Sequence, residues 1–186
     1  MERKELKAEE SEKRAGPIDL LREEHQATLL KLELAERALR YLLRPASETT
    51  PERVEVEKML LKDLAVALER ELRPHFRKEE EGLFPILAEY IGREHGPIEV
   101  MLHEHVKIMD AFLPWKKAAT LFCSGADPID DGIKKKLLDP GIEIVQLIRL
   151  HMSKENQILF KISESSLTQE EKKKVLSRMR ALTLDS

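Results

Sequence analysis

The chain has 186 residues, of which 41% are apolar, 36% charged and 4% aromatic, with 7 Gly, 9 Pro and a formal net charge of −3. That length suits one domain with a real core, and the abundance of Leu, Glu and Lys suits helices. The negative balance argues against a general role on nucleic acid or anionic membranes, no window approaches the ~18 apolar residues of a membrane span, and the single Cys123 excludes an intrachain disulfide.

Residues 1–16 read as a charged N-terminal tail without the apolar stretch of a signal peptide, so a cytoplasmic location is expected. Gly16-Pro17 opens the first helical pattern, in which Ile18, Leu21, His25, Leu29, Leu32 and Leu39 mark one face as far as Arg44-Pro45. Thr50-Pro51 is a second start signal, a capping hydroxyl followed by Pro in the first turn. The helix it opens carries Leu61, Leu64, Leu68, Leu72, His75, Glu79, Leu83 and Ile86 on one stripe, with a kink expected at Pro74. After the loop Glu94-His95-Gly96-Pro97, a third helix carries Ile98, Met101 or Leu102, His105, Ile108 or Met109, and Phe112, and Pro114 is expected to bend or end it.

Residues 123–131 read as a loop and Lys134–Leu138 as a short helical turn. Asp139-Pro140 repeats the cap-then-Pro signal before a fourth helix with Ile144, Leu147, His151, Glu155, Ile158 or Leu159, and Ile162. Thr168-Gln169-Glu170-Glu171 reads as a capping box for a last amphipathic helix with Val175, Met179 and Leu182 on one face. The expected fold is all-α: a four-helix bundle over 17–165, built from two hairpins, plus a short C-terminal helix within 166–186.

The two hairpins say the same thing twice. HFRKEEEGLF at 75–84 and HMSKENQILF at 151–160 share His, Lys three residues on, Glu four on, Leu eight on and Phe nine on. Each is preceded by an isolated Glu-His pair, Glu24-His25 and Glu104-His105. His and Glu four apart on a helix point the same way, as two metal ligands must. The six residues His25, His75, Glu79, His105, His151 and Glu155 all fall on otherwise apolar faces. A lone inward His is usually a core histidine and a lone HxxxE an intrahelical ion pair. The conjunction, at matched places in a duplicated frame, points instead to a pair of cations that compensate buried carboxylates. Whether Glu80 also approaches is left open by the spacing. His103 lies about 200° around the helix from His105 and should face outward, and His95 sits in a loop; both are expected to be non-ligands. Imidazole plus carboxylate without thiolate suits iron, manganese or zinc.

These segments, LREEH at 21–25, HFRKEEEGLFP at 75–85, GPIEVMLHEH at 96–105 and HMSKENQILF at 151–160, resemble the hemerythrin-like, or HHE cation-binding, family over about 17–165. The resemblance implies an up-and-down four-helix bundle with a non-haem, carboxylate-bridged di-iron centre, zinc or manganese being substitutes. It assigns His25 and His75 to one iron, His105 and His151 to the other, and Glu79 and Glu155 to the bridges. Oxygen-carrying members have a further His one turn before the third-helix ligand, where this chain has Met101, and end in a His and an Asp five apart, where it has His151 and Glu155 four apart. The resemblance therefore implies sensing or handling of oxygen, iron or nitric oxide rather than oxygen transport. The expected small partner is dioxygen or nitric oxide, with no nucleic acid or membrane, in a monomer or homodimer. The alternatives are a di-metal oxidoreductase, which would need a proton donor beside the ligands, and a metal-free interaction module that docks a partner through the C-terminal helix.

Overall fold

The computed structural model describes residues 16–125 and 129–184, so the rest of the expected charged tail and part of the 123–131 loop lie outside it. Among the described residues every regular element is helical. Helix α1 spans Pro17–Leu42, its first turn fixed by Pro17 and by the Gly16 amide, which donates to Asp19 Oδ2 at 2.9 Å. Its buried face, Ile18, Leu21, His25, Leu32 and Leu39, steps by three, four and seven. Helix α2, Pro51–Arg77, is capped by Thr50, whose Oγ1 accepts from the Arg53 amide at 3.3 Å. It passes into a π turn, Lys78–Leu83, and then into α3, Phe84–Ile91, which Gly92 ends with φ 73°. Helix α4 spans Pro97–Ser124. A helical turn at Asp131–Ile133 and a π turn at Lys134–Leu138 lead into α5, Asp139–Lys154. A third π turn, Glu155–Leu159, joins α5 to α6, Phe160–Ser166, and α7 spans Gln169–Leu184.

At three prolines the helical run continues. Pro74 lies inside α2, which runs to Arg77 and passes into the π turn at Lys78. Pro114 does not end α4, which runs on to Ser124. Helix α5 begins at Asp139-Pro140 but without a side-chain cap, because the helical run already starts at Asp131, where Asp130 Oδ1 accepts from the Ile133 amide at 2.7 Å. The reason is visible at two of the π turns. Phe84 and Asp139 donate their amides five residues back, to Glu79 and Lys134, immediately before Pro85 and Pro140. The shifted register absorbs the hydrogen bond that a proline cannot make.

Helix α1 packs on α2 and α5, and α4 packs on the same two, which closes a ring of four long helices. Helix α7 lies on this chain's own Lys78–Leu83 turn and on α1 and α2, with Val175 and Met179 fully buried. Its apolar face is therefore spent internally, which removes the ground for a partner-docking module. The apolar core comes in two clusters. One runs from Leu32, Leu72, Ile108 and Ile148 along the ring; the other gathers Leu21, Leu83, Met101, Leu159 and Met179. Helices α1 and α4 change from one cluster to the other at His25 and His105, and the chain that leaves α2 and α5 enters the smaller cluster at Leu83 and Leu159.

Candidate metal centre

Between the two clusters lies a polar layer. Its residues are those picked out by the repeat: His25 from α1, His75 from α2, His105 from α4, His151 from α5, and Glu79 and Glu155 from two π turns. All six are buried, and both carboxylates are 0% exposed. Ionised carboxylates without compensation in such a place cost several kcal/mol each. The π turns matter because each changes the helical register at the residue that must reach across the bundle, a placement typical of π segments at functional sites.

The six fall into two sets of four, His25, His75, Glu79 and Glu155, and His105, His151, Glu79 and Glu155. Within each set one donor atom per residue lies within 4.8 Å of the others. The carboxylates belong to both. Glu79 Oε1 is 3.5 Å from His75 Nε2 and its Oε2 is 3.3 Å from His105 Nε2. Glu155 Oε2 is 3.3 Å from His25 Nε2, and its Oε1 is 3.4 Å from His151 Nε2 and 3.7 Å from His105 Nε2. Each glutamate thus turns one oxygen toward each histidine pair.

A second circle of groups holds the imidazoles in place. His75 Nδ1 meets Glu24 Oε2 at 2.8 Å and His151 Nδ1 meets Glu104 Oε2 at 3.1 Å, so both rings carry their proton on Nδ1 and turn Nε2 inward. Lys78 and Lys154 bond to the second oxygen of these same two carboxylates. Glu80 Oε1 accepts a hydrogen bond from His105 Nδ1 at 2.6 Å. Phe160 stacks on His25 with centroids 5.2 Å apart, and Phe84 on His105 at 6.0 Å. Phe76 lies flat against His105 at 3.9 Å. Every shared letter of the repeat now has a contact: the histidines and glutamates form the layer, each lysine ties down the glutamate of the preceding Glu-His pair, and each terminal phenylalanine covers a ring. Sequence reading noticed Glu24, Glu104, Lys78 and Lys154 as part of the pattern without seeing that they pair; their recurrence at fixed offsets was the available signal.

The protons are shared unevenly. Burial disfavours a charged His105, but the carboxylates of Glu155, Glu79 and Glu80 overcome it and raise its pKa to about 11. Burial pushes His151 down to about 4 against the pull of Glu155, and lowers His75 likewise. Burial and the adjacent Glu155 push Glu79 up, whereas the nearby imidazoles of His105 and His25 hold Glu155 down despite its burial.

The donor set fits a pair of cations. Both oxygens of Glu79 and of Glu155, and Nε2 of His105 and His151, are buried without a hydrogen-bond partner among the described residues. His25 and His75 bring their Nε2 atoms to 2.9 Å, close to the ~3 Å expected of two imidazoles at right angles on one ion with ~2.1 Å bonds. His103 is exposed and His95 is 91% exposed, away from the layer. Cys123 is buried in the apolar core, and burial pushes its thiol up to about 11, the opposite direction from an activated thiol. A cavity of about 560 Å³ between α4 and α5, lined by Pro114, Trp115 and Ile144, touches none of the six.

No curated protein and no solved structure matches the chain. The model of one family does, over residues 16–163, and that span contains all six convergent side chains. The chain belongs to the hemerythrin family, whose model is described as the hemerythrin HHE cation binding domain.

Proposed function

We propose that the protein binds two iron ions in an up-and-down four-helix bundle and uses them to sense or handle oxygen, nitric oxide or iron. His25 and His75 hold one ion, His105 and His151 the other, and Glu79 and Glu155 span both. The observation that carries this reading is the pair of four-residue sets that share the same two carboxylates. Two buried acids and four imidazoles demand positive charge, and nitrogen and oxygen donors without sulfur favour iron, with manganese or zinc able to substitute. When bound, such a pair supplies a change of oxidation state and room for a small exogenous ligand such as dioxygen or nitric oxide.

The chain's own residues supply the rest. Glu24, Glu104 and Glu80 fix which nitrogen of their histidines faces inward. Phe76, Phe84 and Phe160 wall the rings off from water. Met101, buried one turn before His105, offers no imidazole where oxygen carriers have one, which favours sensing or handling over transport. Among the described residues no helix is long and apolar enough to cross a membrane, and we place the protein in the cytoplasm as a monomer or homodimer.

Anaerobic purification in ferrous medium followed by metal analysis is expected to give about two irons per chain. A replete sample without metal overturns the reading. So does a His75→Ala, His151→Ala double variant that keeps its full iron complement while circular dichroism shows it folded.

A further inference from the structure

The duplicated frame is broken at one telling place. In the first copy the residue after the bridging glutamate is Glu80; in the second it is Asn156. Glu80 reaches across to the other half and accepts a hydrogen bond from His105 Nδ1 at 2.6 Å. By the register of the repeat, Asn156 stands where an acid would serve His25. Nδ1 of His25 is buried and has no hydrogen-bond partner among the described residues. Of the four imidazoles, His75, His105 and His151 thus have a carboxylate behind them, and His25 has none.

A second observation falls on the same side. A cavity of about 350 Å³ between α1 and α2 is lined by Glu24, Arg70, Lys78, Thr183 and His75 itself. It abuts the His75 side chain, whereas Phe76 stacks on His105 and meets His151 edge-on at 5.5 Å.

Resting on the two-ion reading above, we propose that the two metal positions are unequal. The His105/His151 position fills first and keeps its ion; the His25/His75 position fills second and exchanges first, and the Glu80/Asn156 difference sets the gap. A carboxylate behind a ligating imidazole fixes its tautomer and ring angle and makes the inner nitrogen a better donor, and losing such a partner typically weakens metal binding about 10–100-fold. Glu80 and Asn156 are positioning residues in this scheme, since each acts through a histidine.

The test is release of ferrous ion from the loaded, anaerobic protein to a colorimetric chelator. Two phases of equal amplitude are expected, with rates about 10–100-fold apart. His25→Ala, checked for folding by circular dichroism, should lose the fast phase only. Asn156→Glu should slow the fast phase toward the slow one. Glu80→Gln should speed the slow phase, and Glu80→Asp should restore part of it. If two ions leave in one phase, or if neither Asn156→Glu nor Glu80→Gln moves either rate, the inequality proposed here is wrong while the two-ion reading stands. If no iron loads at all, it is the two-ion reading that has failed.

Discussion

The two apolar clusters on either side of the polar layer are built on different terms. The larger draws only on α1, α2, α4, α5 and the turn before α5, with Phe112, Leu39, Leu61 and Ile148 at 0% exposure. The smaller cannot be closed by the ring alone. It takes Val175 and Met179 from α7, which lies beyond the 16–163 span matched by the family. A layer of six ionisable groups cuts the core in two, and the shorter end is left with too little apolar surface of its own. A further helix laid across the Lys78–Leu83 turn makes up the difference.

The strongest way to break this comparison is to remove what joins the clusters. With ferrous ion a hundredfold above Kd, each ion should add about 2.7 kcal/mol, so about 5 kcal/mol for two. Thermal melts with and without chelator measure it, and identical melting temperatures would show that the ions do not hold the clusters together. Next comes Met179→Ala, expected to cost about 2–3 kcal/mol through the cavity it leaves. Hydrogen exchange should then quicken around Leu83, Met101 and Leu159 and not around Leu61 or Ile108; a uniform change would mean the clusters act as one.

The glycines sharpen the contrast. A Cβ at Gly141 would meet Leu39 at 2.9 Å and Trp115 Nε1 at 3.0 Å, and that indole is fixed by its hydrogen bond to the Leu137 carbonyl at 2.9 Å. A Cβ at Gly82 would meet Met179 Cγ at 3.0 Å, in a buried but unbranched and adaptable side chain. Gly141→Ala should therefore cost about 2 kcal/mol by overpacking.

The polar layer itself answers to pH. His105, with its pKa raised to about 11, must give up a proton before Nε2 can hold an ion, whereas His151 stays neutral down to about 4. Metal uptake then releases protons, and affinity should rise with pH by about tenfold, or 1.4 kcal/mol, per unit for each proton released. Titrations between about pH 6 and 8 that show no slope would place the proton elsewhere. The smallest effect is Gly82→Ala, within about 1 kcal/mol, because the helix gains what the shifted Met179 loses.

Much of this was legible in the residues. Inward histidines at helical spacing, the caps at Thr50 and Thr168 and the outward His103 all follow from periodicity and side-chain chemistry, and the structure has them so. What periodicity could not show is where a helix changes its own period. The π turns at Lys78–Leu83 and Glu155–Leu159 preserve the apolar stripe while changing the hydrogen-bond register, so a pattern of Leu and Phe passes through them unaltered. Pro114 is expected to bend or end its helix, and α4 runs on through it to Ser124 because packing can carry a helix past a proline that local rules alone would stop. The Glu24–Lys78 and Glu104–Lys154 ties escaped for another reason: they join residues more than fifty and exactly fifty apart, a separation that only the packed hairpin brings together.

Those ties fall within single hairpins, α1 with α2 and α4 with the α5 end, so either hairpin alone carries its own lysine, its own orienting acid and half of the donors. Two identical hairpins meeting about a twofold axis would therefore supply enough donors for the whole centre. Such a pair would be bound by its symmetry, since any substitution would appear twice and the two ion positions would stay alike. Writing both hairpins into one polypeptide lifts that constraint. It is what lets an acid stand at 80 while an amide stands at 156, and so lets one bundle hold two positions with separate histories.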